Sequence, residues 1–459
     1  INGNADLAGM LVFDADLSGA TDTGDFLDVN GTVSSGAPLT LAFNNAGAFS
    51  GSINTAIDLI EYDAGSIAGF TTQGLPTSGA FVYAVTDNAA TNTYQLLSTV
   101  NPGINVGSTI SLTQSLIGGV INRPSSPFVA GLAVGEGQDP CGHGIWGRIV
   151  GGTADVTGTT ETSIGSFGNE VSADYYGFQV GGDFACFDGH YNGWDLSFGG
   201  IAGINHGDTS QPVFQFDPAT GLLDTSQIDS FVKTDFRQIY SGIYLGAARD
   251  RFFADLQFRA ENTEFDLSNP AAVAGGGLGL PDQKFESEAY TLSGSVSYAI
   301  PVNEEQRVTF IPTAGFSYTW TETEEVVFDN GTAVTADDSV LKLKDSTTEI
   351  GFIGATLAKT QIQADGRGAL NYFVTGTVYH DFAPDIKSTL TAAAGGSSTS
   401  TSSNLGTFGE LSVGVNFSRL LDSGGSMPGR QFNASVRLDG RSGDDIDSWG
   451  LTAQARLQF

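Results

Sequence analysis

Over residues 144–459, apolar side chains alternate with Ser, Thr, Asn, Gln, Arg or Asp in runs of about ten or more residues, the period-two pattern of strands with one apolar and one polar face. Twelve strands are predicted, centred near Ile149, Gln179, Phe198, Gly242, Phe258, Gly294, Ala314, Gly354, Gly376, Val413, Val436 and Gln454. In the fifth, Phe252, Ala254, Leu256, Phe258 and Ala260 share one face while Asp255, Gln257, Arg259 and Glu261 share the other. A soluble sandwich shows the same alternation, so the connections have to decide. They are short at 188–193, 249–251, 301–306, 364–368 and 422–429, and mostly long at 209–230, 269–284, 325–343 and 384–405. Short turns at one end and long loops at the other are the habit of an outer-membrane β-barrel, and a sandwich has no reason to alternate so regularly. The long loops carry Asp, Gly, Ser and Thr, as in Gly395-Gly396-Ser397-Ser398-Thr399, and are expected to be solvated and mobile.

The last strand sharpens this reading. Trp449, Leu451, Ala453, Ala455, Leu457 and Phe459 point one way, and Gly450, Thr452, Gln454, Arg456 and Gln458 the other. An aliphatic stripe with an aromatic at each end suits a lipid-facing surface with interfacial anchors. A soluble protein rarely leaves so apolar a strand on an edge.

Residues 1 to about 105 follow a different rhythm of short β segments punctuated by Gly, Asn and Asp, such as Asp28-Val29-Asn30-Gly31-Thr32-Val33. The last coils of a β-solenoid are the preferred reading, a small β-sandwich the other. A single helix is predicted after it: Ser108 is placed to N-cap, Leu112, Leu116 and Val120 recur at i+4, and Pro124 stops the run. Its length of about 22 Å approaches the roughly 25 Å height of a barrel's apolar band. A short helix capping the N-terminal domain is the alternative.

Composition narrows the classes. With 51 acidic and 19 basic residues the formal charge is −32, which opposes nucleic-acid binding, and two cysteines exclude a disulfide-dense scaffold. No stretch reaches the roughly 18 to 20 consecutive apolar residues of a membrane helix. Residues 1–140 hold 12 Asp or Glu and one basic residue, Arg123, so the two parts of the chain read as different objects. Beginning at Ile1 without a basic or apolar leader, the sequence reads as a mature product or an excised fragment.

On these residues the chain resembles the C-terminal part of a type V autotransporter: a β-rich passenger end, a linker helix, then Ile145-Trp146-Gly147-Arg148-Ile149-Val150-Gly151-Gly152 opening a barrel that ends in Phe459. The resemblance implies an all-β chain in three parts. These are a solenoid-like passenger end over 1–106, a linker over 107–143 whose helix threads the lumen through Leu112, Leu116, Gly118, Gly119 and Val120, and a twelve-stranded barrel over 144–459. It implies that the barrel-assembly machinery reads the final strand at Trp449, Leu451, Leu457 and Phe459, with periplasmic chaperones as earlier partners. It also implies that the passenger lies outside the cell. An even strand count agrees, because it leaves both barrel ends on one side. Arg148, Arg259, Arg437 and Arg456 face the predicted lumen, where helix carbonyls or lumen carboxylates are their expected partners.

Candidate chemistry is sparse. Cys141 and Cys186 flank the first predicted hairpin symmetrically and are expected to face each other near the periplasmic rim as a disulfide. A metal site with His143 and His190 is the other reading, against standard zinc spacing. His380-Asp381 lacks a neighbouring serine and reads as a rim pair, and nucleophile-elbow, zincin and P-loop motifs are missing. No enzyme and no cofactor is therefore expected. Asp337-Asp338 and Asp444-Asp445 are candidates for divalent cations bridging to lipopolysaccharide, or are simply solvated. The expected function is a monomeric outer-membrane barrel, in contact with lipid and lipopolysaccharide, that secretes and anchors its own N-terminal passenger. The alternative is a channel or porin-like protein with an N-terminal plug or periplasmic domain.

Overall fold

The computed structural model describes residues 1–16, 23–36, 38–45, 56–75, 81–100, 106–122, 143–162, 165–269, 280–328, 339–391, 397–421 and 430–458. Its amino-terminal part holds β1 (Ala5–Asp6), β2 (Gly9–Asp16), β3 (Thr23–Gly24), β4 (Leu27–Ser34), β5 (Leu39–Asn45), β6 (Ala56–Gly65), β7 (Thr71–Gln73), β8 (Phe81–Asn88) and β9 (Thr93–Val100). They make two sheets, ordered β1-β4-β6-β9-β8 and β3-β2-β5-β7. Pairing is parallel from β1 through β4 to β6 and from β2 through β5 to β7. Equivalent side chains therefore stack. Asn44 donates to Asp14, 30 residues earlier, at 3.1 Å, and the rings of Phe13 and Phe43 lie 5.8 Å apart. Val29, Val33, Leu39, Leu41, Leu59 and Ile60 fill the space between the sheets, which is why alternate positions in these short strands are apolar. The parallel run ends where β9 pairs antiparallel with both β6 and β8.

The next element is α1 (Val106–Leu112), which continues without interruption as a π-helical stretch, Thr113–Ile121. It starts two residues before the predicted cap at Ser108.

The remaining strands are β10 (Gly144–Thr162), β11 (Gly165–Tyr191), β12 (Trp194–Asp217), β13 (Leu222–Arg249), β14 (Phe252–Asn269), β15 (Leu280–Tyr298), β16 (Ile300–Asn303), β17 (Val308–Thr323), β18 (Val326–Phe328), β19 (Ser339–Leu343), β20 (Ser346–Ile362), β21 (Gly368–Asp381), β22 (Ile386–Thr391), β23 (Ser397–Ser402), β24 (Thr407–Leu420), β25 (Gln431–Gly443) and β26 (Ile446–Gln458). Twelve of them, β10 to β15, β17, β20, β21 and β24 to β26, form a closed antiparallel wall, and each contains one predicted centre. The seam closes where β26 pairs with β10, from Gly144 opposite Gln458 to Val156 opposite Ile446.

The wall is inside out relative to a soluble protein. Ile145, Ile149, Phe178, Ile243, Phe258, Ile353, Trp449 and Leu451 are exposed on its outer face, while Arg148, Gln179, Gln238, Arg259, Thr291 and Thr319 are buried within. Phe258, Tyr290 and Trp320 stack in a row across three neighbouring strands of that outer face, with centroids 6.4 and 5.9 Å apart. Such a surface is stable only against hydrocarbon.

The two ends differ. At one, tight turns place Asn192, Asp250 and Arg307 in the left-handed region, with φ near 55°. At the other, β12 and β13 run to 24 and 28 residues, where crossing a membrane takes about 9 to 11. Here the expectation of long loops is corrected in part, because stretches of these segments are strand. Segment 209–230 is largely the two arms of a β-hairpin, and β18, β19, β22 and β23 pair in that order, β23 returning to β10 at Thr160 and Glu161. Short amphipathic runs such as Leu341-Lys342-Leu343 are the cause. They are too brief to register as barrel strands, yet Leu341, Leu343, Ile386 and Leu390 bury against the helix beneath them. Residues 270–279, 329–338 and 392–396 lie outside the described ones.

Candidate functional site in the barrel lumen

The helix fills part of the lumen with small and aliphatic side chains. Ile110, Leu112, Leu116, Ile117 and Ile121 are buried in one cluster with Val171, Val213, Phe236, Phe265 and Phe285 of the wall and with the sheet over the mouth, and Val120 packs against that cluster. Gly118 and Gly119 are buried and add no side chain; the Gly118 backbone meets Arg259 of the wall, and Gly119 borders a cavity.

A helix ends with carbonyls that have no partner of their own and a partial negative charge. In this lumen the wall supplies the partners. Arg148 on β10 donates through Nη2 to the Ile121 carbonyl at 2.6 Å, Arg259 on β14 donates to the Gly118 carbonyl, and Gln179 on β11 donates to the Asn122 carbonyl at 3.3 Å. Asn122 itself is buried. Its amide donates to Gln238 Oε1 at 2.9 Å and its Oδ1 accepts from Asn205 at 2.9 Å. Behind Arg259 stands Glu261, 2.9 Å away and equally buried, which also accepts from Gln238 and Thr291. Higher up, Ser115 Oγ lies 3.3 Å from Thr348 Oγ1 and 3.4 Å from Asp381 Oδ2. The opposite side of the lumen keeps a cavity of about 260 Å³ beside Gly119 and Val120, lined by hydroxyls of Ser297, Thr313, Thr356 and Thr375.

The other two predicted arginines meet carboxylates on the wall. Arg437 Nε lies 2.8 Å from Asp439 Oδ1. Arg456, on the final strand, lies 2.6 Å from Asp183 Oδ2 on β11. Asp183 also accepts from Tyr244 of β13 at 2.5 Å, and Tyr244 in turn accepts from Trp146 Nε1 of β10 at 3.2 Å. This buried clasp therefore ties the first and last strands together from within the barrel. Glycines make room for it: a Cβ at Gly181 would stand 2.3 Å from the Trp146 ring, and one at Gly199 would stand 2.3 Å from Tyr244.

The autotransporter beta-domain profile matches residues 145–420, more than half of the chain. The chain belongs to the autotransporter family. As an autotransporter beta-domain it is an outer-membrane translocator, a role without enzymatic chemistry in the barrel itself. Among solved structures, the transport unit of the autotransporter AIDA-I from Escherichia coli superposes with a TM-score of 0.50 at 13% identity, covering 79% of this chain and 99% of that one. The beta domain of the Bordetella autotransporter BrkA has a TM-score of 0.46 at 13% identity, with 69% and 100% covered. The translocator domain of the autotransporter NalP from Neisseria meningitidis has 0.42 at 16%, with 71% and 92% covered. At 13% identity the likeness to the AIDA-I transport unit is one of fold. No curated protein matches the chain in sequence.

Several further residues of this autotransporter were expected to matter. Cys141 lies outside the described residues, so the expected pairing with Cys186 has no counterpart among them; Cys186 itself sits in β11 opposite Ser197. Phe459 also lies outside them, whereas Trp449 and Leu451 are exposed on the outer wall and Leu457 is half-buried. His380 Nδ1 lies 2.6 Å from Thr407 Oγ1 at the rim, while Asp381 beside it turns inward to Ser115 and to the amides of Glu349 and Ala383. Sequence reasoning missed Arg441, whose Nη2 lies 2.7 Å from Glu410, and the carboxylates Asp183 and Asp439. Strand parity would have found Arg441 and Asp439, since both lie an even number of residues from Arg437 and so share its lumen face.

Proposed function

We propose that this translocator carries residues N-terminal to the helix to the cell surface and holds them there as the end of a β-solenoid passenger. The observation that carries the reading is polarity. The N-terminal domain sits at the barrel end where the strands are long, the helix leads from that domain into the lumen, and β10 begins at the end with the short turns. Short turns face the periplasm in barrels of this kind, so the domain is outside. The parallel stacking of β1, β4 and β6 and of β2, β5 and β7 supports a solenoid, in which each added coil shields the one before it. The channel reading is weaker because the helix and the sheet above it occupy the lumen.

In this reading the barrel-assembly machinery engages the final strand through Trp449, Leu451, Leu457 and Phe459, after periplasmic chaperones have kept the chain unfolded. The barrel acts as a monomer in a bilayer that includes lipopolysaccharide. The decisive experiment places an epitope just before Ile1 and adds protease to intact cells, then to cells with a permeabilised outer membrane. Digestion in intact cells is the expected result. Protection until permeabilisation, with a folded barrel confirmed, overturns surface display and favours the channel.

A further inference from the structure

Over Val82–Val85 the strand β8 has no polar face. Its Tyr83 and Val85 point into the core of the N-terminal domain, while Val82 and Ala84 are fully buried in a separate cluster with Phe167 of β11 and Phe216 of β12, against which Leu223 of β13 packs. β8 is also the edge of its sheet, with β9 on one side only. An edge with a second apolar face is a surface that requires a cover. Here the cover is the barrel itself: the tip of the β12–β13 hairpin lies along β8, and the Val85 amide donates to the Pro218 carbonyl at 2.9 Å. That tip is held rigid. Asp217 accepts from the Ala219 amide and the Thr220 hydroxyl, each at 2.9 Å, and Gly221 adopts φ 68° to complete the turn. The extra length of β12 and β13 beyond a membrane crossing brings Phe216 and Leu223 to this height.

We infer that the tip of the β12–β13 hairpin is a docking site for β8 of the same chain, and that it holds the N-terminal domain on the barrel even when the chain between them is cut. The inference rests on the surface-display reading for its biological setting, but the contact is testable apart from it. A site-specific protease sequence is inserted within residues 101–105, an epitope is placed before Ile1, and cut protein is followed both on intact cells and after extraction in mild detergent.

In the parent the cut N-terminal fragment stays with the cells and co-elutes with the barrel in detergent. Phe216→Ser and Leu223→Ser, which leave the membrane-spanning wall unchanged, raise the released fraction about tenfold, as does Val82→Ser from the other side of the contact. A barrel that still shifts on heating in gels shows that each variant folded. Release of the parent fragment as readily as the variants' overturns the docking site. Failure to cut on intact cells, with cutting in detergent, overturns surface display instead, and co-elution after that cut still decides the docking.

Discussion

Arg148, on the first barrel strand, donates a 2.6 Å hydrogen bond to the carbonyl of Ile121 at the inner end of the lumen helix. With Arg259 at Gly118 it gives a nearly uncharged helix two cationic partners where helix dipole and unpaired carbonyls call for them. The plug is thus fixed by backbone atoms, and its side chains are free to be small.

Arg259→Gln should loosen that end of the plug. It removes the charge facing the Gly118 carbonyl and leaves Glu261 buried without its cation, a loss of about 3 to 5 kcal/mol for a broken buried pair. In planar bilayers the variant is expected to show frequent openings where the parent stays shut. Equal conductance would mean that the arginine does not hold the helix.

Asp183→Asn tests the seam. Arg456 then loses its carboxylate, and the link from Trp146 through Tyr244 loses its anchor. The temperature at which the barrel band shifts in gels should fall clearly, whereas a substitution at Asp439, away from the seam, should leave cross-linking between β10 and β26 intact.

Ile149→Arg places a charge on the exposed outer face, at a cost of about 2 to 4 kcal/mol near the middle of a bilayer. Thr452→Arg, which faces the lumen cavity, should be tolerated far better. Urea titration of the folded fraction in lipid vesicles compares the two. The opposite order would reverse the assignment of the faces.

Tyr62 gives the N-terminal domain a pH dependence. Burial, and then its 2.7 Å hydrogen bond to Asp87, push the Tyr62 hydroxyl well above its ordinary value. The fold favours the protonated form, so this contribution is complete below about pH 10 and is lost as pH rises through the higher folded value. Alkaline unfolding followed by circular dichroism should be shallower in Tyr62→Phe, and an unchanged slope would assign the transition to another group.

Twelve strands were legible because lipid on one side and a polar lumen on the other force strict alternation, as Leu256 and Phe258 against Gln257 and Arg259 illustrate. The inward direction of the four arginines followed from the same parity. Glu261 and Asp439, two residues along from Arg259 and Arg437, share that parity, but the partner of Arg456 could not be read, because Asp183 is 273 residues away and the two meet only when the barrel closes. The outer sheet was invisible for a different reason. β18 is three residues long and β22 six, and the burial of Leu341 and Leu390 depends on the helix below them. Local pattern cannot report a contact that only the assembled pore creates.

The strand β23 returns to β10, so the sheet over the mouth is fastened at both margins of the opening. A wide barrel with nothing in its lumen passes solutes as a porin does, whereas here the helix and the sheet above it leave a cavity of about 260 Å³. A cover fastened at both margins resists osmotic swelling and lateral shear better than a hinged flap. Breaking the pairing at Thr160 and Glu161 is then expected to free one margin of the cover while the wall beneath stays closed.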